Sequence, residues 1–68
     1  MSDEILIKKL EELKRAVEEG RVVRISGVRV KKLEYQATKR GGVIVIINDG
    51  ELVDYAKRLL TRKIEVEP

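Results

Sequence analysis

Apolar residues recur at spacings of four, three and four through Leu6, Leu10, Leu13 and Val17, intervals that collect side chains on one face of an α-helix. The spacing predicts a helix over residues 2–19, with that stripe facing a core. Ser2 or Asp3 can accept the first free backbone N–H groups, Asp3 and Glu4 suit the positive end of the helix dipole, and Gly20 suits the left-handed position that stops it. At Arg21 the period falls to two. Val23 and Ile25 alternate with Arg24, Ser26-Gly27 is a turn pair, and Val28 and Val30 alternate with Arg29 and Lys31. A two-residue loop there sets Ile25 opposite Val28, Arg24 opposite Arg29, Val23 opposite Val30 and Val22 opposite Lys31. One face of this hairpin is aliphatic and the other basic.

Beyond Lys31 the alternation slips by one, so that Leu33, Tyr35 and Ala37 share a face, as an extra residue at Lys31-Lys32 would produce in a β-bulge. Gly41-Gly42 marks a turn into Val43, Ile44, Val45, Ile46 and Ile47, a strand without a polar side, which needs cover on both faces. Asn48 with Glu51 three residues on has the spacing of a capping box. Leu52, Ala56 and Leu59, with Val53 and Leu60, continue it as the apolar stripe of a second helix ending near Arg62. Ile64 and Val66 alternate with Glu65 and Glu67 in a short last strand before Pro68.

The order is helix, three strands, helix, strand. It predicts one α+β domain over residues 1–68, a mostly antiparallel sheet with two helices packed on one face. The first five elements are similar in order to double-stranded RNA-binding domains. Those domains start their second helix with a basic Lys-Lys-x-Ala-Lys type sequence, whereas Asn48, Asp49, Gly50 and Glu51 would repel phosphate, and the assignment is rejected.

Composition narrows the chemistry. A chain of 68 residues holds one core and buries only roughly 60% of the surface its unfolded form exposes, so a compact aliphatic core or self-association must stabilise it. With no cysteine and no histidine, disulfides, thiolate nucleophiles, zinc fingers and the usual neutral-pH base are excluded. Ser26 has no histidine to activate it and no glycine-rich phosphate cradle precedes either helix. Asp49 and Glu51 form a carboxylate pair suited to a hard cation such as Mg²⁺, but two acids at a helix start are explained as cap and turn. The expectation is a non-enzymatic protein without metal or cofactor. No targeting pattern is present and the run Val43 to Ile47 is far short of a membrane span, which points to a cytoplasmic protein with no membrane contact. One Asn, one Gln and one Met beside abundant Glu, Lys, Arg, Ile and Val is the bias of thermostable proteins, and an idealised designed scaffold carries the same bias.

Charge is unevenly placed. Residues 1–20 hold four basic and six acidic side chains, residues 21–42 seven and one, and residues 43–68 four and five. Arg24, Arg29, Lys31 and Lys32 fall on or near one face of the hairpin, flanked by Lys39 and Arg40 at the Gly-Gly turn. Like charges directly opposite, as Arg24 and Arg29 are, destabilise a sheet, and a bound polyanion relieves them. These six residues therefore point to the backbone of duplex nucleic acid, against the plainer reading of a solvated charged face. Tyr35 and Tyr55 are the only aromatics, too few for single-strand stacking platforms. The all-apolar strand suggests a second reading. The face left uncovered, Val43, Val45 and Ile47 or else Ile44 and Ile46, would serve as the interface of a homodimer or of a protein-protein interaction or inhibitor module.

Overall fold

The protein is described here by a computed structural model covering residues 3–68. Its first element, α1, spans Asp3–Glu18. Leu10 and Ala16 are buried, with Leu6, Ile7, Leu13 and Val17 packed against the same core, so the predicted stripe faces inward. Gly20, at φ +83°, ends the helix: its N–H bonds the Val17 carbonyl at 3.1 Å, and the Arg21 N–H reaches back to Ala16 at 3.0 Å. The N-terminal cap expected from Ser2, or from the Asp3 side chain, lies outside what the structure describes.

The hairpin forms in the predicted register. Strand β1 (Val22–Ile25) pairs with β2 (Val28–Arg29), Arg24 opposite Arg29 and Ile25 opposite Val28. Ser26 and Gly27 both have positive φ, 51° and 81°, the geometry of the tight turn whose twist matches its strands. The Val30 N–H still bonds the Val23 carbonyl at 2.8 Å. The expected Val22 to Lys31 pair does not form, because the chain has turned away and the Lys31 N–H is bonded to the Asn48 side chain.

That turn at Lys31-Lys32 is where the chain passes between sheets. Strand β3 (Leu33–Ala37) pairs antiparallel with β4 (Val43–Ile47), Tyr35 opposite Val45. Instead of one sheet there are two antiparallel three-stranded sheets, ordered β2-β1-β6 (sheet A) and β3-β4-β5 (sheet B). Strand β6 (Ile64–Glu67) lies along the other side of β1, with Val23 opposite Val66 and Arg24 opposite Glu65. A chain segment that switches sheets at a bend is the usual way to make such a corner.

The α+β class stands, but the second helix is much shorter than the sequence predicts. Asn48–Gly50 is a single 3-10 turn, Leu52–Tyr55 is strand β5 and only Ala56–Leu59 is helical, as α2. Asn48 and Asp49 sit at φ +50° and +61°, so a right-handed helix cannot start there, and the open side of β4 takes β5 as its partner, Ile46 opposite Val53. Ala56 and Leu59 are nonetheless wholly buried, since a residue spacing of four then three also fits a strand running into one helical turn.

Leu10, Val23, Ile25, Val45, Ile47 and Leu59 form the fully buried centre, and no polar or charged residue is buried with them among the described residues. Replacing Leu10 by Ala should therefore cost about 2–5 kcal/mol of stability in urea denaturation. Val53→Ala, at a side chain 55% exposed, should change it by less than about 0.5 kcal/mol. Equal losses at the two positions would contradict the core described here.

Candidate interaction surface

Asn48 builds the corner from which most of the candidate cations project. Its Oδ1 accepts the Lys31 N–H at 2.7 Å and the Lys32 N–H at 3.0 Å, while its Nδ2 donates to the Arg29 carbonyl at 2.7 Å and to Glu51 Oε2 at 3.4 Å. Its own N–H donates to the Lys32 carbonyl at 2.9 Å. Asn48 and Glu51 thus meet side chain to side chain; the expected capping box, whose bonds run from side chain to backbone N–H, does not form, and the Asn48 N–H is spent on Lys32.

The six basic residues do not make one patch. Arg24 stands on the outer face of sheet A with Arg29 on one side and Glu65 on the other, and its guanidinium meets Glu67 at 3.7 Å. The like-charge pair predicted from the hairpin is met by carboxylates from β6. Lys32 is held between Asp49 at 3.0 Å and Glu34 at 3.4 Å, and the hydrogen bonds from Asp49 and Glu34, with their charges, raise its ammonium above the usual lysine range. Arg29, Lys31, Lys39 and Arg40 form no salt bridge among the described residues. Lys39 and Arg40 sit in the turn closed by Thr38 and Gly42. The five residues of β3, roughly 17 Å of strand, separate that turn from Lys31.

The five apolar residues of β4 divide sharply. Val43, Val45 and Ile47 are 5%, 0% and 0% exposed; they belong to the chain's own core and are not available to a partner, which corrects their place in a five-residue interface. Ile44 and Ile46 point the other way, opposite Tyr55 and Val53 of β5. Ile44, Ile46, Val53 and Tyr55 therefore make a contiguous apolar surface on the outer face of sheet B. Glu34 and Gln36 flank it on the β3 side, and the unpaired edge of β5 bounds it on the other. Val53 and Tyr55 were placed in a helix by the sequence, so β5's contribution to this surface was missed; the alternation of Leu52, Val53, Asp54 and Tyr55 was the signal for it.

Asp54, on the inner side of β5, is tied down. Both Nε and Nη2 of Arg62 donate to its Oδ2, at 3.1 and 2.9 Å, the Tyr55 N–H donates to its Oδ1 at 2.8 Å, and Arg62 Nη1 also reaches Ser26 Oγ at 3.3 Å. Desolvation pushes this carboxyl up, but the bonds from Arg62 and Tyr55 and the charges of Arg62 and Arg58 outweigh it and hold it below the usual carboxylate range. Tyr35 is oriented by a 3.4 Å bond to Glu11 and carries the Lys14 ammonium 5.8 Å from its ring centre. Also missed is a groove of about 340 Å³ between α1 and β6, walled by Leu13, Ala16, Leu60, Ile64 and Val66 together with the charged side chains of Lys9, Glu12 and Arg21.

Among the described residues there is no cluster of three or more acidic side chains able to hold a metal ion, and no helix long and apolar enough to cross a membrane. No protein-family model, curated protein or solved structure matches the chain.

Two outcomes are expected. Asn48→Ala removes the bonds to Arg29, Lys31 and Lys32 and should cost about 2 kcal/mol or more in urea denaturation. Asn48→Asp, which keeps the two accepted bonds, should cost less; equal costs would show that the corner does not depend on them. Because the Asp54 carboxyl is held low, its stabilisation is complete above the ordinary carboxylate range and is lost as pH falls through the depressed value. The melting temperature should therefore drop more between about pH 5 and about pH 2 in the wild type than in Arg62→Met. Parallel curves would contradict that coupling.

Proposed function

We propose that this chain is a small non-enzymatic interaction protein that binds another polypeptide through the outer face of sheet B. The observation that carries this reading is the surface of Ile44, Ile46, Val53 and Tyr55 ending at an unpaired strand edge. Val53 and Tyr55 are 55% and 58% exposed, although residues of this kind are more often inside. An exposed apolar patch beside an unpaired strand edge suits strand addition, in which main-chain bonds supply affinity and alternate side chains supply selectivity; the Tyr55 N–H, already bonded to Asp54 Oδ1, is not among the groups such a strand would use. Edge strands are usually blunted by lysine, proline or an inward charge. Strand β5 has no lysine or proline, and the charge of its inward Asp54 is already matched by Arg62.

One observation favours a second reading, contact with duplex nucleic acid: Arg29, Lys31, Lys39 and Arg40 are left without a salt-bridge partner among the described residues. It ranks below the first because Arg24 and Lys32 have carboxylate partners and the remaining cations are dispersed.

Selection of displayed peptides against the immobilised protein separates the two. Enriched peptides should alternate apolar and polar residues, lose at least about tenfold in affinity (~1.4 kcal/mol) for Ile44→Lys and for Val53→Glu, and bind Arg29→Glu as they bind wild type. Peptides indifferent to Ile44 and Val53 would refute the reading. Binding of labelled duplex DNA or RNA with a log–log salt slope of roughly −2 to −4, lost in Arg29→Glu, would replace it with the second.

A further inference from the structure

The strand register gathers cations at one end of sheet B. The turn closed by Thr38 and Gly42 lies at the Val43 end of β4, and because Ile44 stands opposite Tyr55, β5 passes into α2 at that same end. Turn and strand are close there: a Cβ placed on Gly42 would lie 3.7 Å from Tyr55 Cδ1. Lys39 and Arg40 in the turn and Lys57 and Arg58 in α2 therefore stand at one end of the apolar face. All four are exposed, and none is in a salt bridge among the described residues.

The segments that form this end carry no acid to offset them. From Gln36 to Ile44 and from Tyr55 to Leu59 the sequence has no Asp or Glu. The carboxylate of β5, Asp54, is taken by Arg62, with Arg58 contributing only its charge. The far end of the strands differs, since Glu34, Asp49 and Glu51 lie there and Lys32 bridges Asp49 and Glu34. A hollow lined by Ile44, Val53, Asp54, Tyr55 and Arg58 joins the basic end to the apolar face, so one unpaired guanidinium shares a depression with three apolar side chains. Strand β3, the other unpaired edge of sheet B, offers Glu34 and Gln36 on this face, and its Tyr35 is bonded to Glu11 of α1.

We propose that the polypeptide bound by sheet B is an acidic one: an extended segment whose apolar residues cover Ile44, Ile46 and Val53 along the β5 edge, and whose adjoining Asp or Glu residues meet Arg58, Lys57, Lys39 and Arg40. This rests on the reading of sheet B as a polypeptide-binding face and adds the charge of its partner. A polypeptide suits the place better than a phosphate backbone does, because the cations border an apolar face and a strand edge that phosphates would leave uncovered. Exposed charges in such a position chiefly speed the encounter and choose among partners, and they add modestly to affinity.

The experiment selects randomised displayed peptides on the immobilised protein and reads the charge of those whose binding weakens in Val53→Ser, a change that leaves the charge of the face unaltered. Wild type should enrich peptides with Asp or Glu beside the apolar stretch. The variant carrying Lys39→Glu, Arg40→Glu, Lys57→Glu and Arg58→Glu should enrich peptides with Lys or Arg there. A synthetic copy of one wild-type peptide, with its acids changed to Gln, tests the same contact without altering the protein. It should bind wild type about three- to tenfold more weakly than the parent peptide, and should bind the charge-reversed variant at least as well as the parent does. Peptides that need Val53 but show no preference for acids, or a Gln peptide that binds wild type undiminished, would overturn the proposal and leave the sheet B reading standing. Peptides indifferent to both Ile44 and Val53 would overturn the two together. Labelled duplex DNA that binds wild type and Val53→Ser alike, and fails to bind the charge-reversed variant, would assign the four cations to nucleic acid instead.

Discussion

A single side-chain amide decides how this chain is divided. Between β2 and β3 the backbone must leave one sheet and join the other, which strips the Arg29 carbonyl and the Lys31 and Lys32 N–H groups of strand partners. Asn48 supplies all three, two through Oδ1 and one through Nδ2. Buried or half-buried backbone groups are rarely left unpaired, and asparagine is one of the few residues that does this while tolerating φ +50°. The same geometry stops β4 and turns the chain back as β5. Through that reversal one corner residue settles that sheet B ends in an unpaired edge, with Ile44, Ile46, Val53 and Tyr55 on its outer face.

Local pattern made much of this legible. The α1 stripe, the Gly20 stop and the Ser26-Gly27 hairpin, with Arg24 opposite Arg29 and Ile25 opposite Val28, follow from spacings within a few residues, and all of them are found. The slip suggested a bulge within one sheet, but no bulge forms: the chain changes sheet there, which the pattern did not show because the group that makes the corner lies 17 residues away along the chain from Lys31. The stretch from Asn48 to Arg62 misled for a clear reason. A capping-box spacing and a helical stripe at Leu52, Ala56 and Leu59 coincide there with an equally valid alternation from Leu52 to Tyr55, and only the need of β4 for a neighbour separates them.

The candidate site was less legible than the fold. An arginine pair opposite each other in a hairpin looks unbalanced until β6 is laid on the far side of β1, a contact between chain segments some forty residues apart that brings Glu65 and Glu67 beside Arg24. Which face of β4 is outward depended on pairing set by the corner at Lys31-Lys32 and by the turn closed by Thr38 and Gly42. The apolar surface on sheet B and the groove beside β6 remain the features the fold itself leaves unsatisfied.

The unpaired β5 edge connects the fold with the proposed function, and amide hydrogen exchange with and without a bound peptide selected on the protein measures it directly. The account predicts that N–H groups of β5 without a partner inside the chain exchange rapidly in the free protein and become protected when the peptide is bound, while those of β1 and β4 stay protected throughout. Exchange at these β5 groups that is slow in the free protein, or unchanged by a peptide whose affinity falls in Val53→Glu, would contradict it.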